Sequence, residues 1–80
     1  MRVISQNGMA DLPYEKIIVC RDYTDVFCRF FHHEHRKIFL GGYSTQEKAQ
    51  KVMEMLRKEW IIHGNKALFQ FPKDEEVECK

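Results

Sequence analysis

The sequence predicts an α+β domain, in which a small antiparallel β-sheet carries one long α-helix across one of its faces. Runs rich in β-branched and aromatic residues, typical of strands, precede and follow a single segment whose apolar residues recur at helical spacing. One helix laid on one face of a sheet buries the apolar surfaces of both elements. We therefore expect the order strands, helix, strand.

The first half of the chain is predicted to form most of the strands. These strands are expected at residues 3–5, 16–21, 26–31 and 36–40. Turns are expected at Asn7-Gly8, where both residues tolerate positive φ, and at residues 22–25 and 32–35. An irregular connector is expected around Pro13, which lacks a backbone donor.

One helix is predicted for residues 45–62. Ser44 and Glu47 form a capping-box pattern at its start, in which the Ser44 hydroxyl accepts from the Glu47 N–H. Gly64 suits the left-handed conformation that follows a last helical turn. The apolar residues on one stripe of the helix are Ala49, Val52, Met53, Leu56 and Trp60. A last strand is expected at residues 67–71.

The length of the chain, 80 residues, predicts a single domain over residues 1–80. Such a chain buries only ~60% of its unfolded surface, so a metal, a disulfide or self-association often supports the core. The three cysteines are an odd number and do not make a closed disulfide framework. Acidic side chains concentrate in residues 73–80, which we expect to be a frayed acidic tail.

Charge and hydropathy exclude several classes of protein. The net charge of +1 provides no overall attraction to nucleic acid or membrane. No apolar run reaches the roughly 18 residues that a membrane-spanning helix needs, and the first residues are too polar for a signal peptide. We therefore expect a cytoplasmic protein. The sequence shows no nucleophile–base pair and no glycine-rich phosphate loop, so we expect binding without catalysis.

Three of the four histidines lie within residues 32–35. His32, His33 and His35 are candidate ligands of a zinc ion, because imidazole is a preferred zinc ligand. The candidates for a fourth ligand are Cys28, Cys20, Cys79 or a carboxylate. The alternative is an exposed polar turn with solvated histidines. A zinc-protease helix is excluded, because Lys37 stands where the second histidine of the His-Glu-x-x-His motif belongs.

Aromatic and basic residues are interleaved between residues 29 and 43. The set comprises Arg29, Phe30, Phe31, Arg36, Lys37, Phe39 and Tyr43. Aromatic rings beside cations can bind single-stranded nucleic acid. The alternative is a sheet core with charged outer positions, and we favour it because Phe30 and Phe39 are good strand residues.

Two apolar residues of the predicted helix lie off its main stripe. Met55 and Ile62 are seven residues apart and therefore share a side of the helix. They are candidate partner-binding anchors, with Arg57 and Lys58 as charged contacts that affect the rate of association. The alternative is that the C-terminal segment around residues 69–71 covers them.

Several stretches of the chain resemble a group of small proteins from phages and mobile elements of Gram-positive bacteria. The stretches are Met-Arg-Val-Ile-Ser-Gln-Asn-Gly at residues 1–8, Asp-Leu-Pro-Tyr-Glu at 11–15, Tyr-Ser-Thr-Gln-Glu-Lys-Ala at 43–49, Met-Glu-Met-Leu-Arg at 53–57 and Phe-Gln-Phe-Pro at 69–72. The likeness covers both ends and the helix, whereas residues 20–40 are particular to this chain. Small phage proteins of this size are often inhibitors of bacterial defence.

In size and metal-ligand content the chain is similar to a zinc-containing anti-CRISPR inhibitor of the type II effector nuclease. That resemblance implies a protein partner in the cytoplasm of a bacterial host, and a block on target-DNA loading or cleavage. It implies no catalysis and no direct contact with nucleic acid. The alternatives are a small nucleic-acid-binding accessory protein that uses the basic and aromatic strands, and a sequestering protein for a nucleotide signal.

Overall fold

The α+β fold is confirmed in the computed structural model of the chain, which describes residues 1–78 apart from the side chains of residues 33–35. The strands are β1 Arg2–Ile4, β2 Asp11–Pro13, β3 Ile17–Asp22, β4 Asp25–Phe30, β5 His33–Gly42 and β6 Leu68–Gln70. The long helix, α1, spans Gln46–His63, and short 3-10 helices occur at Tyr14–Lys16, Gly64–Lys66 and Asp74–Glu76. In residues 1–78 no helix is long and apolar enough to cross a membrane.

The strands form two sheets of three strands, where the sequence predicts one small antiparallel sheet. The hairpin sheet is antiparallel in the order β3-β4-β5, and the terminal sheet has the order β2-β1-β6. In the terminal sheet Val3 of β1 lies opposite Leu12 of antiparallel β2 and Phe69 of parallel β6. The parallel pair joins residues more than 60 positions apart, and local sequence patterns carry no information about such pairing.

Both turns of the hairpin sheet are two residues long. Tyr23 and Thr24 connect β3 to β4, and Tyr23 takes a positive φ of 55° that suits a tight hairpin. The second turn is formed by Phe31 and His32, because Phe30 already pairs with His33. The observed turn is therefore shorter than the one predicted at residues 32–35, because residues 33–35 belong to β5.

The N-terminus of α1 is capped one residue later than the sequence predicts. Thr45 takes an extended conformation, and its hydroxyl accepts a hydrogen bond of 3.2 Å from the Lys48 N–H. Ser44 instead donates its own N–H to Asp74 Oδ1 at 2.7 Å, so it does not form the predicted capping box. The predicted end of the helix is confirmed at Gly64, which has a φ of 64°.

The core lies between α1 and the two sheets. The predicted stripe faces this core: Ala49, Val52 and Leu56 are buried, while Met53 and Trp60 pack against its margin. Helix α1 contacts β4, the central strand of the hairpin sheet. The other buried apolar side chains include Val3, Val26, Cys28, Leu40, Phe69 and Phe71. Phe69 and Phe71 are core residues in edge-to-face contact at 5.4 Å, and they leave Met55 and Ile62 exposed.

Residues 73–78, predicted to be a frayed acidic tail, are held against the domain. Val77 is buried, and Asp74 pairs with Lys48 of α1 at 3.5 Å. The Tyr43 hydroxyl donates to the Pro72 carbonyl at 2.8 Å just before this segment, and burial raises the pKa of Tyr43. The segment contains several acids and one apolar residue, Val77. Its charge therefore predicts fraying, although the buried Val77 side chain anchors it. Residues 79 and 80 lie outside the described part of the chain.

Shortening Leu56 to alanine tests the packing of α1. The Leu56→Ala substitution removes a buried side chain, so we expect the free energy of unfolding to fall by about 2–5 kcal/mol. Urea denaturation measures this change. Met55→Ala, at the neighbouring exposed position, is the matched control and should lower the free energy of unfolding by less than Leu56→Ala does. A loss below about 0.5 kcal/mol for Leu56→Ala, the usual range for surface positions, would show that this stripe is not core.

Asp74 should make stability depend on pH. The Ser44 N–H, with Lys48 nearby, holds the pKa of Asp74 below its ordinary value. The resulting stabilisation is present above about pH 4, the ordinary pKa of an aspartate, and is lost as the pH falls through the lowered pKa. Between about pH 5 and pH 2, the wild type should therefore lose more unfolding free energy than Asp74→Asn does.

Chemical denaturation at a series of pH values measures this difference. Glu75→Gln changes the neighbouring exposed carboxylate and is the matched control, which should follow the wild type. Equal acid sensitivity of the wild type and Asp74→Asn would contradict the role assigned to Asp74.

Candidate functional sites

The first candidate site is the turn that carries the histidines. His32 is exposed at the tip of the β4–β5 turn, beside an open cleft of about 450 Å³ that Lys16, Phe30 and Phe31 also line. The side chains of His33 and His35 lie outside the described part of the structure, so their placement relative to His32 stays a prediction. Among the side chains that are described, no group of three or more His, Cys, Asp or Glu could hold a metal ion.

The cysteines proposed as fourth ligands lie on opposite faces of the hairpin sheet. Because the β3–β4 turn has two residues, Cys28 lies opposite Val19 on the face toward α1, and Cys20 lies opposite Phe27 on the other face. Burial raises the pKa of the Cys28 thiol to about 11. Zinc binds the thiolate, so this environment disfavours Cys28 as a ligand. Cys79 lies outside the described residues.

The second candidate site is the exposed surface of α1, and the four predicted contact residues do not form one surface. Successive residues of a helix are about 100° apart, which places Met55, Lys58 and Ile62 on one flank. Met55 and Ile62 are 37% and 61% exposed. Arg57 lies on the opposite flank of the helix. A single flat partner can therefore contact Met55, Lys58 and Ile62 together, but not Arg57 at the same time.

Arg57 lines a cleft of about 340 Å³ between α1 and the start of the hairpin sheet. The other lining residues are Tyr14, Glu15, Ile17, Val19, Phe31, Met53 and Leu56. Glu15 accepts a hydrogen bond of 3.0 Å from the amino group of Met1, which holds the pKa of Glu15 below its ordinary value. The cleft thus combines apolar walls with one cation and one carboxylate at its rim.

The third candidate site is the outer face of the hairpin sheet, the face turned away from α1. Strand alternation and cross-strand pairing place Ile18, Cys20, Phe27, Arg29, Lys37 and Phe39 there. Phe27 of β4 lies directly opposite Phe39 of β5, and Phe39 is 51% exposed. The ammonium of Lys37 stands 4.6 Å from the centre of the Phe27 ring, within the range of a cation–π contact.

Only part of the predicted basic and aromatic set meets on this outer face. Arg29, Lys37 and Phe39 lie there, whereas Phe30 packs against the core and Tyr43 is buried. Phe27 is absent from the predicted basic and aromatic set, although strand alternation places it with Arg29 once the core side of β4 is known. The sequence alone does not state which side of β4 faces α1, and this is needed to place Phe27 on the outer face.

Comparison of the chain with protein-family models, with curated proteins and with solved structures finds no match. Any assignment of function therefore depends on the surfaces described above and on the resemblance of the sequence motifs.

Proposed function

We propose that the chain is a binding inhibitor of a bacterial defence nuclease, of the anti-CRISPR type that blocks target-DNA loading or cleavage by the type II effector. The resemblance of its motifs to small phage proteins suggests the class of partner. The observation that carries the proposal is the exposed flank of α1 formed by Met55, Lys58 and Ile62. This surface combines two apolar side chains with a cation on a helix that is anchored to the core.

The helix flank has the chemical character of a protein interface. Burying a large aliphatic side chain completely is worth about 1.5–3 kcal/mol. Ile62 is 61% exposed and Met55 37% exposed, so a partner can still bury more than half of the surface of Ile62 and about a third of that of Met55. Lys58 lies between them along the helix and provides the charged rim that interfaces usually have. Val52 and Leu56 hold the other side of α1 in the core, so docking needs no rearrangement of the helix.

A structural zinc held by His32, His33 and His35 is part of the same proposal. What supports this part of the proposal is the sequence, which has these three histidines within four consecutive residues. Neutral imidazole suits zinc, and a carboxylate can complete the ligands, whereas Cys20 lies at the level of Phe39, two strands away from β5. Zinc bound there would join the turn to the start of β5 and so stabilise the end of the hairpin sheet.

The helix flank is tested by a double substitution that keeps the net charge constant. Met55→Glu with Ile62→Lys places two charges where apolar contacts are proposed, so inhibition should fall at least about tenfold, the equivalent of one lost anchor. The matched control is Met9→Glu with Leu68→Lys, which changes two exposed apolar side chains elsewhere. This control should inhibit as the wild type does.

Phage restriction in cells that carry a type II effector nuclease is the readout, with capture of the purified nuclease as the direct binding measurement. Circular dichroism verifies that each variant is folded. Restriction that is unchanged by the wild-type protein would overturn the inhibitor proposal. Inhibition by the double variant equal to the wild type would overturn the assignment of this flank.

The zinc proposal predicts close to one zinc per chain in the purified, untagged protein, measured by elemental analysis. Chelation should lower the melting temperature because metal binding is coupled to folding. His33→Ala should lose zinc. His63→Ala is the matched control, because His63 is the remaining histidine of the chain and lies at the end of α1, and it should retain zinc.

Protons compete with zinc for imidazole below about pH 6. The melting temperature of the zinc-loaded protein should therefore fall more between about pH 7 and pH 5 than that of the chelated protein. Protein that carries no metal after tag removal would end the zinc proposal, and an equal fall in both forms would attribute the pH effect to the fold itself.

A further inference from the structure

Positive and negative side chains lie at opposite ends of the outer face of the hairpin sheet. Arg29 and Lys37 lie toward the β4–β5 turn, the Phe27–Phe39 pair lies in the middle, and Asp22 pairs with Asp25 at the opposite end. Two cations, two aromatic rings and two acids therefore follow one another along the strands. One half of the face suits an anion, and the middle suits a flat apolar group.

The aromatic rings are held in place for stacking. The Phe39 ring rests against Gly42, where a Cβ atom would come within 3.2 Å of its Cζ atom. Lys37 covers part of the Phe27 ring at 4.6 Å from its centre. Because Lys37 lies over the half-buried Phe27 ring, the exposed Phe39 ring is the one that can accept a base.

The cations beside these rings are available for a ligand. Among the described residues, neither Arg29 nor Lys37 forms an ion pair. The Arg29 Nε atom is buried without a hydrogen-bond partner in that part of the chain, and its Nη2 atom reaches only the Cys20 sulfur, at 3.9 Å. The buried Nε atom is itself out of reach of a ligand, so a phosphate would pair with the exposed Lys37 ammonium, while Arg29 adds positive charge beside it.

We infer that this outer face, formed by Ile18, Phe27, Arg29, Lys37 and Phe39, binds single-stranded nucleic acid. An unpaired base can stack on the exposed Phe39 ring, and the phosphate next to it lies within reach of the Lys37 ammonium, with the charge of Arg29 nearby. A duplex hides the faces of its bases and offers nothing for Phe39 to stack on. The acids at Asp22 and Asp25 repel phosphate, so the strand should cross the half nearer the β4–β5 turn.

This site is separate from the helix flank of the proposed inhibitor, because α1 packs on the other side of the hairpin sheet. The net charge of +1 gives no indication of this site, since the two cations lie at one end of the face and the acids Asp22 and Asp25 at the other. Binding at this face therefore depends on the local arrangement of charge and not on the total.

Fluorescence anisotropy of the full chain with a fluorescein-labelled oligothymidylate of about 15 nucleotides tests the inference at about 50 mM salt, where phosphate contacts are strong. Phe39→Ala should weaken binding by about 5- to 150-fold, the effect of losing one stacked base. Phe39→Tyr keeps the ring and should retain binding. Leu68→Ala is the matched control, because Leu68 is 60% exposed on another sheet, and it should change affinity less than about twofold.

Charge is tested separately from stacking. Lys37→Gln should reduce the slope of log affinity against log salt by about 0.7, because it removes one phosphate contact to a single strand. Lys51→Gln removes an equivalent exposed cation from α1 and should leave the slope unchanged. Each variant is accepted only if its melting temperature matches that of the wild type.

Three results would overturn the inference. The first is no binding of the oligothymidylate at low salt, and the second is equal affinity of the wild type and Phe39→Ala. The third is equal binding of a duplex of the same length. If the oligothymidylate does not bind and Phe39→Asp abolishes a dimer seen by light scattering, the face is instead an interface between two copies of the chain.

Discussion

The packing of α1 on the central strand β4 is the contact on which the rest of the structure depends. Val52 and Leu56 of the helix and Val26 and Cys28 of the strand are almost completely removed from water. Because side chains alternate along a strand, burying Val26 and Cys28 turns Phe27 and Arg29 outward. The contact between α1 and β4 therefore determines both which residues form the core and which residues are exposed on the outer face.

The terminal sheet and the C-terminal segment hold this arrangement in place. Parallel pairing of β1 with β6 joins the two ends of the fold, and Phe71 is buried where the chain leaves β6. The Pro72 carbonyl accepts from Tyr43, and Asp74 accepts from the backbone at the start of α1. These contacts make residues 73–78 part of the domain, although their composition is that of a solvated tail.

The exposed surfaces divide the molecule into two faces with different chemistry. The flank of α1 combines aliphatic side chains with a cation, whereas the outer face of the hairpin sheet combines aromatic rings with cations. Aliphatic side chains favour a protein partner, and exposed rings beside cations favour bases and phosphates. Because the sheet and the helix core separate these faces, substitutions on one should leave the other intact.

The sequence by itself determined the features that depend on neighbours in the chain. The helix stripe and the Gly64 stop follow from spacing and from backbone preferences within a few residues, and they were predicted correctly. The β3–β4 hairpin was also predicted, but its turn has two residues and not the four expected at residues 22–25. Residues 11–13 were expected to be irregular, and they became a strand only because β1 supplies a partner for their backbone groups.

Tertiary structure decided everything that depends on distant partners. It split the strands into two sheets, moved the helix cap from Ser44 to Thr45 by giving the Ser44 N–H to Asp74, and sent Cys20 and Cys28 to opposite faces. It also brought Phe27 of β4 beside Phe39 of β5. The physical reason is that local spacing states which residues share a side, while only packing against α1 decides which side is buried.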